Sequence, residues 1–353
     1  MLNTPSPSKQ KARVPSHPQN RKHLNPLKSA SPSEPLGLSV EANRWLRQGY
    51  TQRREGDATA ALTSFQRALQ AFRALSQANS EAQMLVNIAH LYYGFGDYSS
   101  AIEYAQQGLA IARRVVCNTL MHQALDCLGN SYRHLRDLDK AQAAMLQSLS
   151  LAHAMADPKA KIRALSNLAL VYRSQGDSAQ AIELYKQGLH IAKNQDNITA
   201  IEQLLRKLGN AFYGIGDPLK SILYYDRLLL LSRDLMELPI ISKILRNLNS
   251  ACYALGDYPR SLAYLKERLG VLQQLQDDRG TVQTLESMAV IYDAVGDTYK
   301  ALQVREERLK IAIRLKDPLL LRQTLSSFKT ACLAEGDFER FQDYLDYLTE
   351  STF

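Results

Sequence analysis

The stretches GFGDYSSA (94–101), GIGDPLKS (214–221), ALGDYPRS (254–261) and AVGDTYKA (294–301) each set an Asp after a Gly at the same phase. The phase recurs every 40 residues without insertion, at Asp57, Asp97, Asp137, Asp177, Asp217, Asp257, Asp297 and Asp337. Gly precedes seven of these eight, and Arg136 stands in the remaining place. A fixed period of this length describes stacked supersecondary units rather than a single globular core. The turn itself is readable. Gly at the end of a first helix adopts the left-handed conformation without a Cβ clash. Asp then offers its carboxylate to the exposed amides of a second helix. Asp217-Pro218 supports this, since Pro suits the first helical position, and Asp157-Pro158 and Asp317-Pro318 open first helices in the same way. Arg136 in the same conformation would cost roughly 1–2 kcal/mol.

Eight units are therefore expected from about residue 39. Each has a first helix, a Gly-Asp turn and a longer second helix such as YSSAIEYAQQGLAIARRV (98–115). Residues 1–37 differ in kind. They hold seven of the twelve prolines, many serines and a net charge of +5 out of the whole-chain +8. Such a segment buries too little apolar surface to offset the entropy of ordering, and reads as a disordered basic tail on a repeat body spanning 38–353. A body charge of only +3 argues against nucleic acid as the partner. No apolar run approaches the length of a membrane span, and no signal-peptide core follows the early basic residues, so a cytoplasmic protein is expected. Cys117, Cys127, Cys252 and Cys332 lie far apart with no ligand spacing and read as packing residues. The seven histidines form no metal motif or triad spacing, and no Gly-rich loop is shaped for phosphate. Neither catalysis, a cofactor, a metal nor a small-molecule substrate is expected.

Around each Asp the slots repeat. Twelve before it stand Trp45, Leu85, Leu125, Leu165, Leu205, Leu245, Leu285 and Leu325. Nine before it come Ile88, Leu128, Leu168 and their equivalents, and eight before it small residues such as Gly49, Ala89, Gly129 and Gly209. Five before it come Tyr92, Tyr132, Tyr172, Phe212 and Tyr292, and four after it Ala61, Ala101, Ala141, Ala181 and Ala301. This order resembles the tetratricopeptide repeat over about nine tenths of the chain. The period of 40 exceeds the usual 34 of that family and is similar to the long repeats of polarity adaptors and bacterial peptide-sensing regulators. The resemblance implies an all-α, right-handed superhelical solenoid of eight helix-turn-helix repeats. Its last unit, FERFQDYLDYLTESTF (338–353), is atypical and would cap the stack.

In that family the free face of the first helix lines a concave groove. Slots fourteen, eleven, ten, seven and four residues before each Asp share this stripe. The candidate partner-binding residues are Gln83, Asn87, Asn130, Arg163, Asn167, Gln203, Arg206, Lys207, Asn210, Lys243, Arg246 and Asn247. Asn is a poor interior helix former, and its amide both donates and accepts, which suits the main chain of an extended peptide. Hydrogen bonding between adjacent repeats would explain the same residues. A basic stretch over the first six repeats, followed by Glu286 and Asp293, points to an acidic or C-terminal protein segment as ligand. Arg206, Asn210 and Asn247 resemble part of the carboxylate clamp of chaperone-binding repeats, but Gln283 and Ser287 stand where that clamp is basic. The expected function is a protein-interaction scaffold. The alternatives are a receptor that compacts around a signalling peptide, and an RNA-binding helical repeat.

Overall fold

The structure is a computed structural model that describes residues 34–350, with side chains described for 36–346. Among these residues there are sixteen helices and no strand. The first four pairs are α1 (Glu34–Arg54) with α2 (Ala58–Ala74), α3 (Ala78–Phe95) with α4 (Tyr98–Arg114), α5 (Asn118–His134) with α6 (Leu138–Ala154), and α7 (Pro158–Gln175) with α8 (Ser178–Asn194). The next four are α9 (Ile198–Gly214) with α10 (Pro218–Asp234), α11 (Leu238–Ala254) with α12 (Tyr258–Gln274), α13 (Asp278–Ala294) with α14 (Thr298–Leu315), and α15 (Pro318–Glu335) with α16 (Phe338–Glu350). Each pair is one 40-residue repeat. The chain divides into two compact units, one ending at Asp196 with α1–α8 and one beginning at Asn197 with α9–α16.

The turn chemistry read from the sequence is present in every repeat. All eight Asp carboxylates accept the amide three residues on, from Ala60 N at 2.9 Å to Lys140 N at 3.4 Å. The preceding glycines have φ between 72° and 91°, and Arg136 adopts the same conformation at 67°. The return turns carry a second left-handed residue with no sequence signature: Ser76, Val116, Ala156, Asp196, Met236, Gln276 and Lys316. Asp157 and Asp317 cap α7 and α15 as expected.

Two expectations are corrected. The second helix is longer only in the seventh repeat, by one residue: elsewhere it is equal or shorter, as with 18 residues in α3 and 17 in α4, because each return turn is as tight as the Gly-Asp turn. Helix α1 starts at Glu34, ahead of the expected boundary at residue 38, with Pro35 in its first turn where its missing N–H costs nothing. The rest of the expected disordered tail lies outside the described residues.

Packing within a repeat rests on matched sizes. The small slot of the first helix faces a residue eight places after the Asp on the second. In three repeats that residue is large and the slot is Gly. A Cβ on Gly49 would lie 2.6 Å from the Phe65 ring, one on Gly129 2.5 Å from Met145, and one on Gly209 2.8 Å from the Tyr225 ring. Where the second helix has Ala105, the slot is Ala89, and both are fully buried. The large slots form the core: Leu85, Ile88, Leu165, Leu168, Leu245, Leu248 and Phe328 are all at most 2% exposed. The cysteines belong to this packing. Burial pushes the Cys127 thiol up to about 12 and Cys252 to about 11, so both stay protonated. In the last repeat Phe341 replaces the small residue and packs, with Tyr344, against Phe328. No described helix is long and apolar enough to cross a membrane.

Candidate functional site

Side chains at the five stripe slots of the first helices surround a cavity of about 550 Å³ in the first unit. Helix α1 contributes Tyr50 and Arg53; α3 contributes Gln83, Asn87, His90 and Tyr93. Helix α5 contributes Gln123, Asp126, Cys127 and Asn130, and α7 contributes Arg163 and Asn167. Every one of these occupies a slot fourteen, eleven, ten, seven or four residues before its repeat's Asp. The 3.6-residue turn of the helix brings those slots to one face, and the stacking of repeats lines the faces up.

The walls are largely self-satisfied. Asn87 is buried, donates from Nδ2 to Tyr50 Oη at 3.0 Å, and receives Gln83 Nε2 at 3.5 Å. Asn130 Nδ2 donates to the Asp126 carbonyl at 2.9 Å. Arg163 Nε lies 2.8 Å from Asp126 Oδ2. By contrast Gln123 and Asn167 line the cavity with no hydrogen-bond partner among the described residues. His90 is held below its ordinary value mainly by burial, opposed by Asp126 and reinforced by Arg53 and Arg163, so its ring is neutral at pH 7.

Behind the wall the fold joins three residues that the sequence did not associate. Ser148 Oγ donates to Asp126 Oδ1 at 2.7 Å and lies 2.7 Å from His122 Nδ1. All three are buried, Ser148 completely. The hydroxyl proton faces the carboxylate rather than the imidazole, and the oxygen has no access to solvent. His122 Nε2 lies 3.5 Å from Asp126 Oδ2 and makes no hydrogen bond among the described residues, so the arrangement fits a buried structural network rather than an activated nucleophile.

In the second unit the candidates separate. Arg206 is paired with Glu202 one turn earlier on α9. The Tyr225 hydroxyl donates to Asn210 Oδ1 and is also hydrogen-bonded to Asn247. Burial pushes that phenol up to about 12, so it remains a donor. Three residues that resembled a carboxylate clamp thus have internal partners, supplied by Glu202 and Tyr225 at positions off the stripe. Gln203, Lys243 and Arg246 are exposed, and Lys207 is half-buried. The acidic patch expected in the seventh repeat is neutralised from α14: Arg308 pairs with Glu286, and Arg305 Nη1 donates to Asp293 at 3.0 Å. Those arginines lie on second helices, which the stripe pattern does not register.

A sequence profile described as Tetratricopeptide repeat matches residues 41–114 and 120–194, the segments that line the cavity. Over these residues the chain belongs to the tetratricopeptide repeat (TPR) family. Its remaining repeats keep the same 40-residue register and helix pairing. No curated protein matches the TPR chain in sequence. Among solved structures, the TPR chain is similar to a signal transduction ATPase of the STAND class with a tetratricopeptide repeat sensor, from Pyrococcus horikoshii. That match has 15% identity and a TM-score of 0.63, covering 93% of this chain and 54% of that one. It is also similar to aspartyl phosphate phosphatase F from Bacillus subtilis, at 16% identity and TM-score 0.56 over 79% and 72% of the two chains. A third is a Rap protein complexed with Competence and Sporulation Factor, at 17% identity and TM-score 0.53 over 78% and 76%. At these identities the likeness is one of fold.

Proposed function

We propose that this TPR protein is a non-catalytic interaction scaffold, and that the cavity of its first unit holds an extended segment of a protein partner. The observation that carries this reading is the cavity itself. Its lining comes wholly from the stripe of the first helices, and most of its polar groups are pinned in place by neighbours. A preorganised wall of this kind loses little side-chain entropy on binding. Gln123 and Asn167 are the amides left to pair with a peptide main chain, each able to donate and accept. Arg53 adds positive charge that is not matched by a carboxylate in the lining, which favours an acidic segment.

The test uses the full chain. Wild type and a Gln123→Ala/Asn167→Ala variant would be screened against a displayed library of extended peptides, and binders measured by calorimetry. The expected result is a set of acidic-leaning peptides whose affinity falls at least tenfold in the variant while helical content is unchanged. Peptides that bind both proteins equally would remove the cavity from the reading. Compaction of the chain by a short peptide, seen by small-angle scattering, would turn the scaffold into a receptor.

A further inference from the structure

The second, third, fifth, sixth and seventh repeats each place three positions at one level of the helix pair: fifteen and eleven residues before the Asp on the first helix, and eleven after it on the second. In the second repeat these are Ala82, Val86 and Gly108, and the level is apolar. In the third it is the buried His122, Asp126 and Ser148 network, which carries its own carboxylate. In the fifth, Glu202 neutralises Arg206 above an apolar Leu228, and in the seventh Glu286 neutralises Arg308. The sixth repeat breaks the rule. Its level holds Ser242, Arg246 and Arg268, two cations with no carboxylate.

Arg268 on α12 is 5% exposed, and its one hydrogen bond among the described residues runs from Nε to Ser242 Oγ at 3.4 Å. Neither it nor Arg246 has an ion pair among the described residues. Burial, and then the nearby Arg246 charge, bring the Arg268 guanidinium down to about 10. Asp277 opposes this from the start of α13, but its carboxylate is committed to the amide of Gly280 at 2.8 Å. A buried cation without a carboxylate in ion-pair contact is costly. The same slot accepts leucine in the fifth repeat, so helix packing does not call for an arginine there.

We infer that Ser242, Arg246 and Arg268 form a binding site for a single anionic group, a carboxylate or a phosphoryl group. The exposed Arg246 would meet the anion first, and the forked guanidinium of Arg268 would hold two of its oxygens from behind, beside the Ser242 hydroxyl. The site lies within the second unit and stands apart from the cavity reading of the first.

Thermal unfolding of the full chain in sodium phosphate, sodium acetate and sodium chloride, at equal ionic strength and pH 7.5, tests this. A ligand that binds only the folded state raises Tm in a saturable way, here by about 2 °C or more over chloride. A response to phosphate alone assigns a phosphoryl ligand, and a response to acetate assigns a carboxylate. Arg268→Leu, which copies Leu228, should abolish the response and raise Tm in chloride. Arg246→Gln should weaken half-saturation at least tenfold and, by relieving the repulsion on Arg268, should not lower Tm in chloride. A wild type that responds to neither anion beyond chloride overturns the site, as does a response that survives in Arg268→Leu. Should Arg268→Leu not fold, the Arg246→Gln titration decides: weakened half-saturation supports the site, and unchanged half-saturation overturns it.

Discussion

Val116 is the most strained residue of the return turns. It is β-branched, sits at φ 54°, and is 77% exposed, so it has little packing to lose. Val116→Gly should stabilise the protein by about 1 kcal/mol, read from urea unfolding, and Arg136→Gly should act in the same direction. His90 makes a pH-dependent contribution with a definite sign. Its folded-state value lies below the ordinary 6.5, so on acidification the unfolded chain takes up the proton first. Stability should fall as pH drops below about 6.5 and level off once the folded form is protonated too. His90→Gln should flatten that part of the Tm–pH curve. A curve unchanged by the substitution would mean that burial of this ring has no thermodynamic weight.

At the scale of the element, α16 is the helix whose anchoring is most specific. It is fixed by Tyr344 edge-on to Phe328 and by two bonds to Glu306 of α14. Burial alone would raise Glu306, but Lys310, Tyr344 and Arg340 together overcome it and bring the carboxyl down to about 2. The folded value is depressed, so its stabilisation is complete above the unfolded value of 4.5 and is lost as pH falls toward 2. Hydrogen exchange in α16 should therefore quicken over that window, and Glu306→Gln should quicken it already at pH 7. Equal protection of α16 in the two proteins would leave Phe328 and its neighbours as the whole of the anchor.

For the molecule as a whole, the repeat architecture limits how far damage spreads, because each helix pair is stabilised mainly by its immediate neighbours. Phe65→Ala removes a fully buried ring from the first repeat and should cost about 3–5 kcal/mol locally. The expected result is faster hydrogen exchange in α1–α4 with α9–α16 unchanged. Uniformly faster exchange would show that the two compact units unfold together.

What could be read without coordinates was whatever depends on local rules. The Asp caps, the Gly turns and the periodic core slots follow from chain geometry that repeats every 40 residues, and so does the stripe that lines the cavity. The left-handed return residues were not legible, because Ser76, Val116 and Met236 share no chemistry and their conformation is imposed by the helices on either side. Nor were the partners of the polar stripe. Tyr225 takes up Asn210 and Asn247, Glu202 takes up Arg206, and Arg305 and Arg308 neutralise the acids of the seventh repeat. Each of those pairings joins residues from a different slot or a different helix. Sequence spacing determines which side chains share a face; only tertiary packing decides which of them are already satisfied, and which, like Gln123, Asn167 and Arg268, are left to meet something else.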